Sequence, residues 1–295
     1  MAEITVALIK TLRDQTNAGM MDCKAALTEA GGDLEEAAVI LRKKGITGAE
    51  KKAGRETSEG VIASSIDSDA KTGVLVKVNC ETDFVAKNEN FQSFVEGLVN
   101  HVASADSVES VEAVLAQPYA GDSSQTVEDV VKAKIGELGE NMALSKVERY
   151  TVEGEGVVAS YIHPPGKVGV LLEVSAGKAE SAANESFREV VKDIALHIAA
   201  AQPICVSRDE VPADKVESEK EIFREQVKGK PENIIDKIVD GKLDKYYSTV
   251  ALLEQGFIKD PDQTIQDLLA AKGKEIGDED LTVRRFARFA VGEEG

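Results

Sequence analysis

Few residues in this sequence have the type and spacing that chemistry requires. The histidines are His101, His163 and His197, and two of them recur at equivalent places in an internal repeat, as structural, partly buried histidines do. Cys23, Cys80 and Cys205 are odd in number and far apart, so they form neither a disulfide framework nor a zinc-ligand spacing. They read as thiols of a reducing compartment. There is no G-x-x-x-x-G-K-[ST] phosphate loop, no Rossmann glycine run and no G-x-S-x-G nucleophile elbow. With 53 Asp and Glu residues, carboxylate pairs are unavoidable and carry no information. The sequence therefore points away from an enzyme and implies no catalytic residue, no metal ligand and no cofactor. One segment stands out. After a β-rich run comes Asn79-Cys80-Glu81-Thr82-Asp83-Phe84-Val85-Ala86-Lys87-Asn88, an acidic residue beside a large aromatic at a strand-to-helix junction. Such loops lie on surfaces and often carry function. Two readings stay open: Thr82 or Asp83 caps the next helix while Phe84 staples it to the sheet, or the aromatic faces a partner.

The elements that must position this junction follow from periodicity. Residues 1–45 read as three short helices, with apolar stripes Ile4, Ala7, Leu8, Leu12, then Cys23, Ala26, Leu27, Ala30, then Leu34, Ala37, Ala38, Leu41. Asp33 and Glu36 form a capping-box arrangement, and Gly45 after Lys43-Lys44 reads as a helix stop. So small a bundle suits a docking module. Residues 46–58 read as a polar linker carrying Lys51, Lys52 and Arg55, either solvated or facing an acidic partner surface.

The repeat occupies 59–205. Gly60 and Gly156, Ala63 and Ala159, Gly73 and Gly169, Phe91 and Phe187, and His101 and His197 all stand 96 residues apart. Each copy reads as two β-rich segments, Val61–Ile66 with Val74–Val78 and Val157–Ile162 with Val170–Val174. A helix follows in each, Glu89–Ala103 and Ala182–Ala200. The expected units are a first core subdomain, 59–150, and a second, 151–208 with 248–295. A helical hairpin, 209–247, is inserted into the latter. Its seam is Val216, Phe223 and Val227 against Ile234, Ile235, Ile238, Val239 and Leu243, turned at Gly229-Lys230-Pro231. A projecting hairpin has a spare face, which makes it a candidate for homodimerisation. The fold class is α+β: an N-terminal three-helix module, a core of two related α+β subdomains with antiparallel sheets, and the inserted hairpin.

The whole chain sets bounds. It has 295 residues, 42% of them hydrophobic and only 4% aromatic, so its cores are aliphatic. Thirty-five Lys and Arg against 53 Asp and Glu give a formal charge of -18, which repels phosphate backbones and argues against direct nucleic-acid binding. No stretch approaches the ~20 apolar residues of a membrane span, and the N-terminus lacks a signal peptide's apolar run. A cytoplasmic protein is expected, with no membrane partner.

Val78-Asn79-Cys80-Glu81-Thr82-Asp83-Phe84-Val85-Ala86 resembles the signature of the elongation factor Ts family. So do Leu12-Arg13 with Thr16, and Gly19-Met20-Met21-Asp22-Cys23-Lys24-Ala25-Ala26-Leu27. Lys51-Lys52-Ala53-Gly54-Arg55, Gly169-Val170-Leu171, His197-Ile198-Ala199-Ala200 and Glu254-Gln255-Gly256-Phe257 add further matches in the right order, over nearly the whole chain. The resemblance implies a guanine-nucleotide exchange factor of translation that acts by binding elongation factor Tu, GDP-bound and nucleotide-free. It implies that the loop of Thr82, Asp83, Phe84 and Val85 enters the partner near its magnesium and phosphates. The module bearing Arg13, Met20 and Met21 would dock on the GTPase domain, and the second subdomain, with His163, would reach another domain of the partner. Helical phase aligns Met20 with Cys23 and Leu27, toward the module's core, and leaves Met21 outside. Asn17 departs from a common glycine, and 142–150 lacks the arginine pair usual after the Gly-Glu-Asn element. The sequence ends at Gly292-Glu293-Glu294-Gly295, where many relatives continue into a further helical segment. Two readings of other classes are a ubiquitin-associated-like or chaperone binding module, resting on the three-helix start alone, and a hydrolase, for which no residue set suggests a substrate.

Overall fold

A computed structural model describes residues 4–16, 18–229 and 231–293. Asn17, Lys230, Glu294 and Gly295, each named above, lie outside them. The chain divides into two compact units, Met1–Ala63 with Val74–Arg149 and Phe289–Gly295, and Ser64–Gly73 with Tyr150–Arg288.

In chain order the first elements are α1 (Val6–Thr16), α2 (Met20–Glu29), α3 (Leu34–Glu50), β1 (Glu59–Ile66), β2 (Thr72–Cys80) and α4 (Asp83–Ala86). They continue with α5 (Glu89–Ser104), α6 (Val111–Leu115), β3 (Pro118–Tyr119), β4 (Asp122–Thr126), α7 (Val127–Leu138) and β5 (Met142–Thr151). The three opening helices enclose Ile9, Leu12, Cys23, Ala26, Leu27 and Ala37. Ala7, expected inside, is exposed, because the phase that buries Leu12 brings Leu8 and Ile9 under it instead. Asp33 caps α3 by accepting from the Glu36 amide at 2.8 Å, while its own amide bonds to Ala30 O.

The helix stop expected at Gly45 is not there. α3 runs on to Glu50 and packs along α7. A Cβ added to Gly136 of α7 would fall 2.8 Å from the Gly45 Cα, so this glycine pair is where the two backbones cross. Ala49, at the far end of α3, is buried in the first unit's core. Lys52 Nζ donates to Ile135 O at 3.4 Å. Residues 46–50 thus continue the helix as a strut that places Ala49 on the core, and a linker character is confined to the turns after it.

That core lies between the sheet β1-β2-β5 and the helices α5 and α7. Val74, Val76, Val78 and Cys80 alternate along β2 toward Phe91, Phe94, Val95 and Leu98 of α5, a period of two meeting a period of 3.6. β2 is buried nearly throughout, as the central strand of three should be.

The second set of elements is β6 (Gly156–His163), β7 (Val168–Ser175), α8 (Ala179–Ala183), α9 (Glu185–Ala201), α10 (Ala213–Gln226), α11 (Glu232–Val250), β8 (Gly256–Phe257), β9 (Asp260–Thr264), α12 (Ile265–Ile276) and β10 (Thr282–Ala290). β6 and β7 pair antiparallel, Val157 opposite Val174 and Tyr161 opposite Val170, within the sheet β10-β7-β6. Val157, Ala159, Val170, Leu172 and Val174 face Phe187, Val191, Ile194 and Ile198 of α9. The hairpin α10–α11 closes on Val216, Phe223, Val227, Ile235, Ile238, Val239 and Leu243. Ile234, expected in that seam, is exposed, one residue out of the phase that Ile235, Val239 and Leu243 set.

The duplication reaches further than the 96-residue spacing reveals. Gln117 and Gln255, Thr126 and Thr264, Asp129 and Asp267, and Gly139 and Gly277 stand 138 residues apart. In both copies the buried histidine bonds the glutamine, His101 to Gln117 at 3.0 Å and His197 to Gln255 at 2.9 Å. Each copy then makes a two-stranded hairpin, β3-β4 or β8-β9. A helix with a Thr–Asp capping box follows, and ends on a glycine in the left-handed region. The longer spacing reflects the α10–α11 insertion between His197 and Gln255.

Candidate functional site

β2 ends at Cys80, and Thr82 caps the four-residue helix α4 by accepting from the Val85 amide at 3.4 Å. So short a helix cannot hold itself. It is held from outside. Glu140, just after the Gly139 cap of α7, takes the Thr82 hydroxyl on Oε1 at 2.7 Å and the Thr82 amide on Oε2 at 3.0 Å. Glu81 Oε1 accepts from the Asn141 amide at 2.6 Å and sits 3.4 Å from Arg55 Nη1. The Asn141 side chain donates to Arg55 O at 2.8 Å and Ala53 O at 3.4 Å, in the turns that follow α3. The Cys80 thiol donates to Thr82 O at 3.2 Å.

Within α4, Ala86 is buried and Val85 packs half-buried against the core. Phe84 is 82% exposed. The capping reading of Thr82 is therefore correct and the stapling reading of Phe84 is not: the two residues after it hold the helix down. Burying a phenylalanine is worth roughly 1.5–3 kcal/mol, and at Phe84 nearly all of it is unspent within this chain. Asp83 pairs with Lys87 at 2.7 Å, and that hydrogen bond and charge raise the Lys87 ammonium above its ordinary pKa.

The other sequence-derived candidates are exposed as well. Arg13 lies on α1 and Met21, 76% exposed, on the first turn of α2. Met20, expected in the module's core, is 37% exposed. It opens α2 one turn before Cys23, at the rim of the bundle. Arg13, Met20, Met21 and the turn from Thr82 to Val85 belong to the first unit, and His163 to the second. His163 ends β6, exposed, with the Tyr161 hydroxyl 3.0 Å from its Nδ1 and the Gly166 amide donating to its carbonyl at 2.8 Å. Of the basic cluster, Arg55 and Lys52 are turned to Glu81 and Ile135 of the first unit rather than left to solvent alone.

The sequence shows Glu140 and Asn141 only as part of the Gly-Glu-Asn element and gives them no role. A signal for the role is the 138-residue spacing, which sets Glu140 opposite Asp278. Asp278 does in the second copy what Glu140 does in the first: it accepts from the Gly177 and Lys178 amides at 3.0 and 3.1 Å, at the junction before α8. Burial pushes the Asp278 carboxyl up. Hydrogen bonds from Ser181 and from the Asp280, Gly177 and Lys178 amides outweigh that and hold it below the ordinary range. Among the described residues no three His, Cys, Asp or Glu gather as a metal site, and no helix is long and apolar enough to cross a membrane.

Residues 81–293 match the family model described as elongation factor TS. The chain is 46% identical over 292 residues to the elongation factor Ts of Trichlorobacter lovleyi, covering 98% of this chain and 93% of that protein. It is 44% identical over the same length, with the same coverage, to the elongation factors Ts of Clostridium perfringens and Clostridium kluyveri. A family match across most of the chain, starting at Glu81 and so taking in the Thr82–Val85 turn, joins these full-length relatives in one conclusion: the chain belongs to the elongation factor Ts family.

Proposed function

We propose that this protein promotes GDP release from elongation factor Tu by inserting the Asp83–Phe84 turn beside the partner's magnesium and phosphate site. Family membership carries the general role, nucleotide exchange in translation elongation; the insertion is the finer reading. A GTPase holds GDP through loop amides and a magnesium ion of strict octahedral geometry. An exchange factor needs no bond chemistry. It must bind the empty GTPase better than the GDP-bound form, since a ligand shifts an equilibrium only by its differential affinity. Reciprocity then lets incoming nucleotide expel the factor.

The observation that carries this reading is Phe84, 82% exposed on a turn held at its start by bonds to Thr82 and Glu81 and packed down after it by Val85 and Ala86. An exposed aromatic on a held backbone suits a pocket that opens only when the partner's helices part, because little backbone freedom is lost on insertion. Asp83 is tied to Lys87 by a solvent-screened surface pair, weak enough to exchange for groups of the partner. Arg13, Met20 and Met21 supply the docking contact on the GTPase domain, and His163 a contact with a second domain of the partner. No cofactor takes part and no nucleic acid is bound directly, in keeping with the charge of -18. The work is cytoplasmic. The α10–α11 hairpin is the element proposed for self-association, through the outward Ile222 and Ile234.

The test is release of fluorescent GDP from elongation factor Tu, with unfolding followed on the same sample. A hot-spot aromatic is worth roughly 2–4 kcal/mol. Phe84→Ala should therefore slow exchange about 30-fold to about 1000-fold and leave melting almost unmoved. Normal exchange by a folded Phe84→Ala protein at saturating concentration would refute the insertion.

A further inference from the structure

We propose that Glu140 is a positioning residue for exchange, a carboxylate that aims the Phe84 turn; the inference rests on the insertion reading above. A four-residue helix has too few internal hydrogen bonds to fix its own direction. The direction of Phe84 must come from the anchors of α4. The Thr82 hydroxyl has one proton, and Glu140 Oε1 takes it at 2.7 Å. That leaves the oxygen's lone pairs for the Val85 amide, so Glu140 orients the cap that starts the helix. The second carboxylate oxygen fixes the Thr82 backbone at 3.0 Å. One side chain thereby sets both the entry of the chain into α4 and the cap that begins it. The neighbouring Asn141 continues the anchor to the carbonyls of Ala53 and Arg55, and takes Glu81 on its amide. The strut from the docking module and the exposed aromatic are thus referred to the same two-residue turn.

The second copy provides the internal control. Asp278 occupies the place of Glu140 and holds the backbone amides of Gly177, Lys178 and Asp280 and the Ser181 hydroxyl. The helix after it, α8, opens Ala179-Glu180-Ser181 and carries no aromatic. In the copy with the exposed aromatic, the clamp is one methylene longer and the hydroxyl it takes is that of the capping residue itself, Thr82, whereas the residue at the start of α8, Lys178, makes no side-chain cap and the hydroxyl that Asp278 takes is that of Ser181, inside the helix.

The experiment is GDP release from elongation factor Tu across a range of factor concentrations, for Glu140→Ala and Glu140→Gln, each with Phe84 intact and as Phe84→Ala. Glutamine keeps a carbonyl acceptor for the Thr82 hydroxyl, but its amide nitrogen cannot accept from the Thr82 amide. With Phe84 present, the maximal rate per folded molecule should fall about tenfold for Glu140→Ala and about threefold for Glu140→Gln. The half-saturating concentration should move less than about twofold, because the docking surface is untouched. In the Phe84→Ala background the same changes should remove less than about twofold more. A merely structural clamp would lower the melting temperature and the folded fraction and leave the rate per folded molecule alone; that result overturns the proposal. So does an equal loss in both backgrounds, which would mean that Glu140 acts elsewhere than through Phe84. If Glu140→Ala does not fold, Glu140→Gln carries the same cycle. Unchanged exchange by Phe84→Ala alone would remove the insertion reading and this proposal with it. An impaired Phe84→Ala with additive Glu140 effects would remove only the proposal.

Discussion

The crossing of α3 on α7 gives two chemically identical substitutions opposite consequences. At Gly136, a new Cβ would lie 2.8 Å from the Gly45 Cα, with the Gly45 carbonyl carbon and oxygen at 3.5 Å. All of these are backbone atoms, so no side chain can swing away, and the helices must separate by most of an ångström. A gap of that size forfeits a quarter to a half of each affected dispersion contact. Overpacking costs about 1–3 kcal/mol, and a backbone-on-backbone clash belongs at the upper end. Alanine returns about 1 kcal/mol of helix propensity over glycine. Gly136→Ala should therefore destabilise by about 2 kcal/mol. At Gly45 the new Cβ meets only the Ala133 Cα, at 4.0 Å. There the propensity gain stands alone, and Gly45→Ala should stabilise by about 1 kcal/mol. With about 2–4 °C of melting temperature per kcal/mol for a body of this size, thermal unfolding should show a drop of about 4–8 °C and a rise of about 2–4 °C. A Gly136→Ala protein as stable as the parent, or a Gly45→Ala protein as damaged as Gly136→Ala, would refute the crossing and return residues 46–50 to a linker.

Two further outcomes follow from single residues. His197 is buried, its pKa lowered by desolvation against the opposing hydrogen bond of Gln255, and its Nδ1 accepts from the Ile258 amide. The unfolded chain takes up a proton near pH 6.5 that the folded residue refuses, so this contribution to stability is complete above that pH and is lost as pH falls below it. Denaturant melts between pH 7.5 and 5.5 should show a smaller pH slope in His197→Gln than in the parent; equal slopes would contradict it. Lys87→Ala removes an exposed, solvent-screened ion pair. It should leave melting within about 2 °C and exchange undiminished, and a large loss of exchange would mean that Lys87 itself meets the partner.

The sequence made the strands and long helices legible because their partners are periodic: β2 and β7 alternate against the stripes of α5 and α9, and the 96-residue spacing exposes the duplication. It misled at Gly45, where glycine serves a helix crossing and not a helix end; only the position of Gly136 distinguishes the two. Phe84 was ambiguous for a similar reason. A capped junction followed by an apolar residue describes a staple as well as an exposed wedge, and which of Phe84, Val85 and Ala86 packs inward depends on the angle at which β2 delivers the chain. Phase alone turns Met20 inward, and phase does not say where a bundle ends. The Glu140 clamp lay beyond the first spacing, since the inserted hairpin shifts the register by which Asp278 would have pointed to it.

Differential affinity is the central claim, and it is measured directly by comparing the dissociation constants of the parent and Phe84→Ala for elongation factor Tu in its nucleotide-free and GDP-bound forms. The expected result is a loss concentrated on the nucleotide-free form, about 30-fold or more, with binding to the GDP-bound form changed less than about threefold. Equal weakening toward both forms would make Phe84 an ordinary contact residue and would contradict its role in opening the nucleotide site.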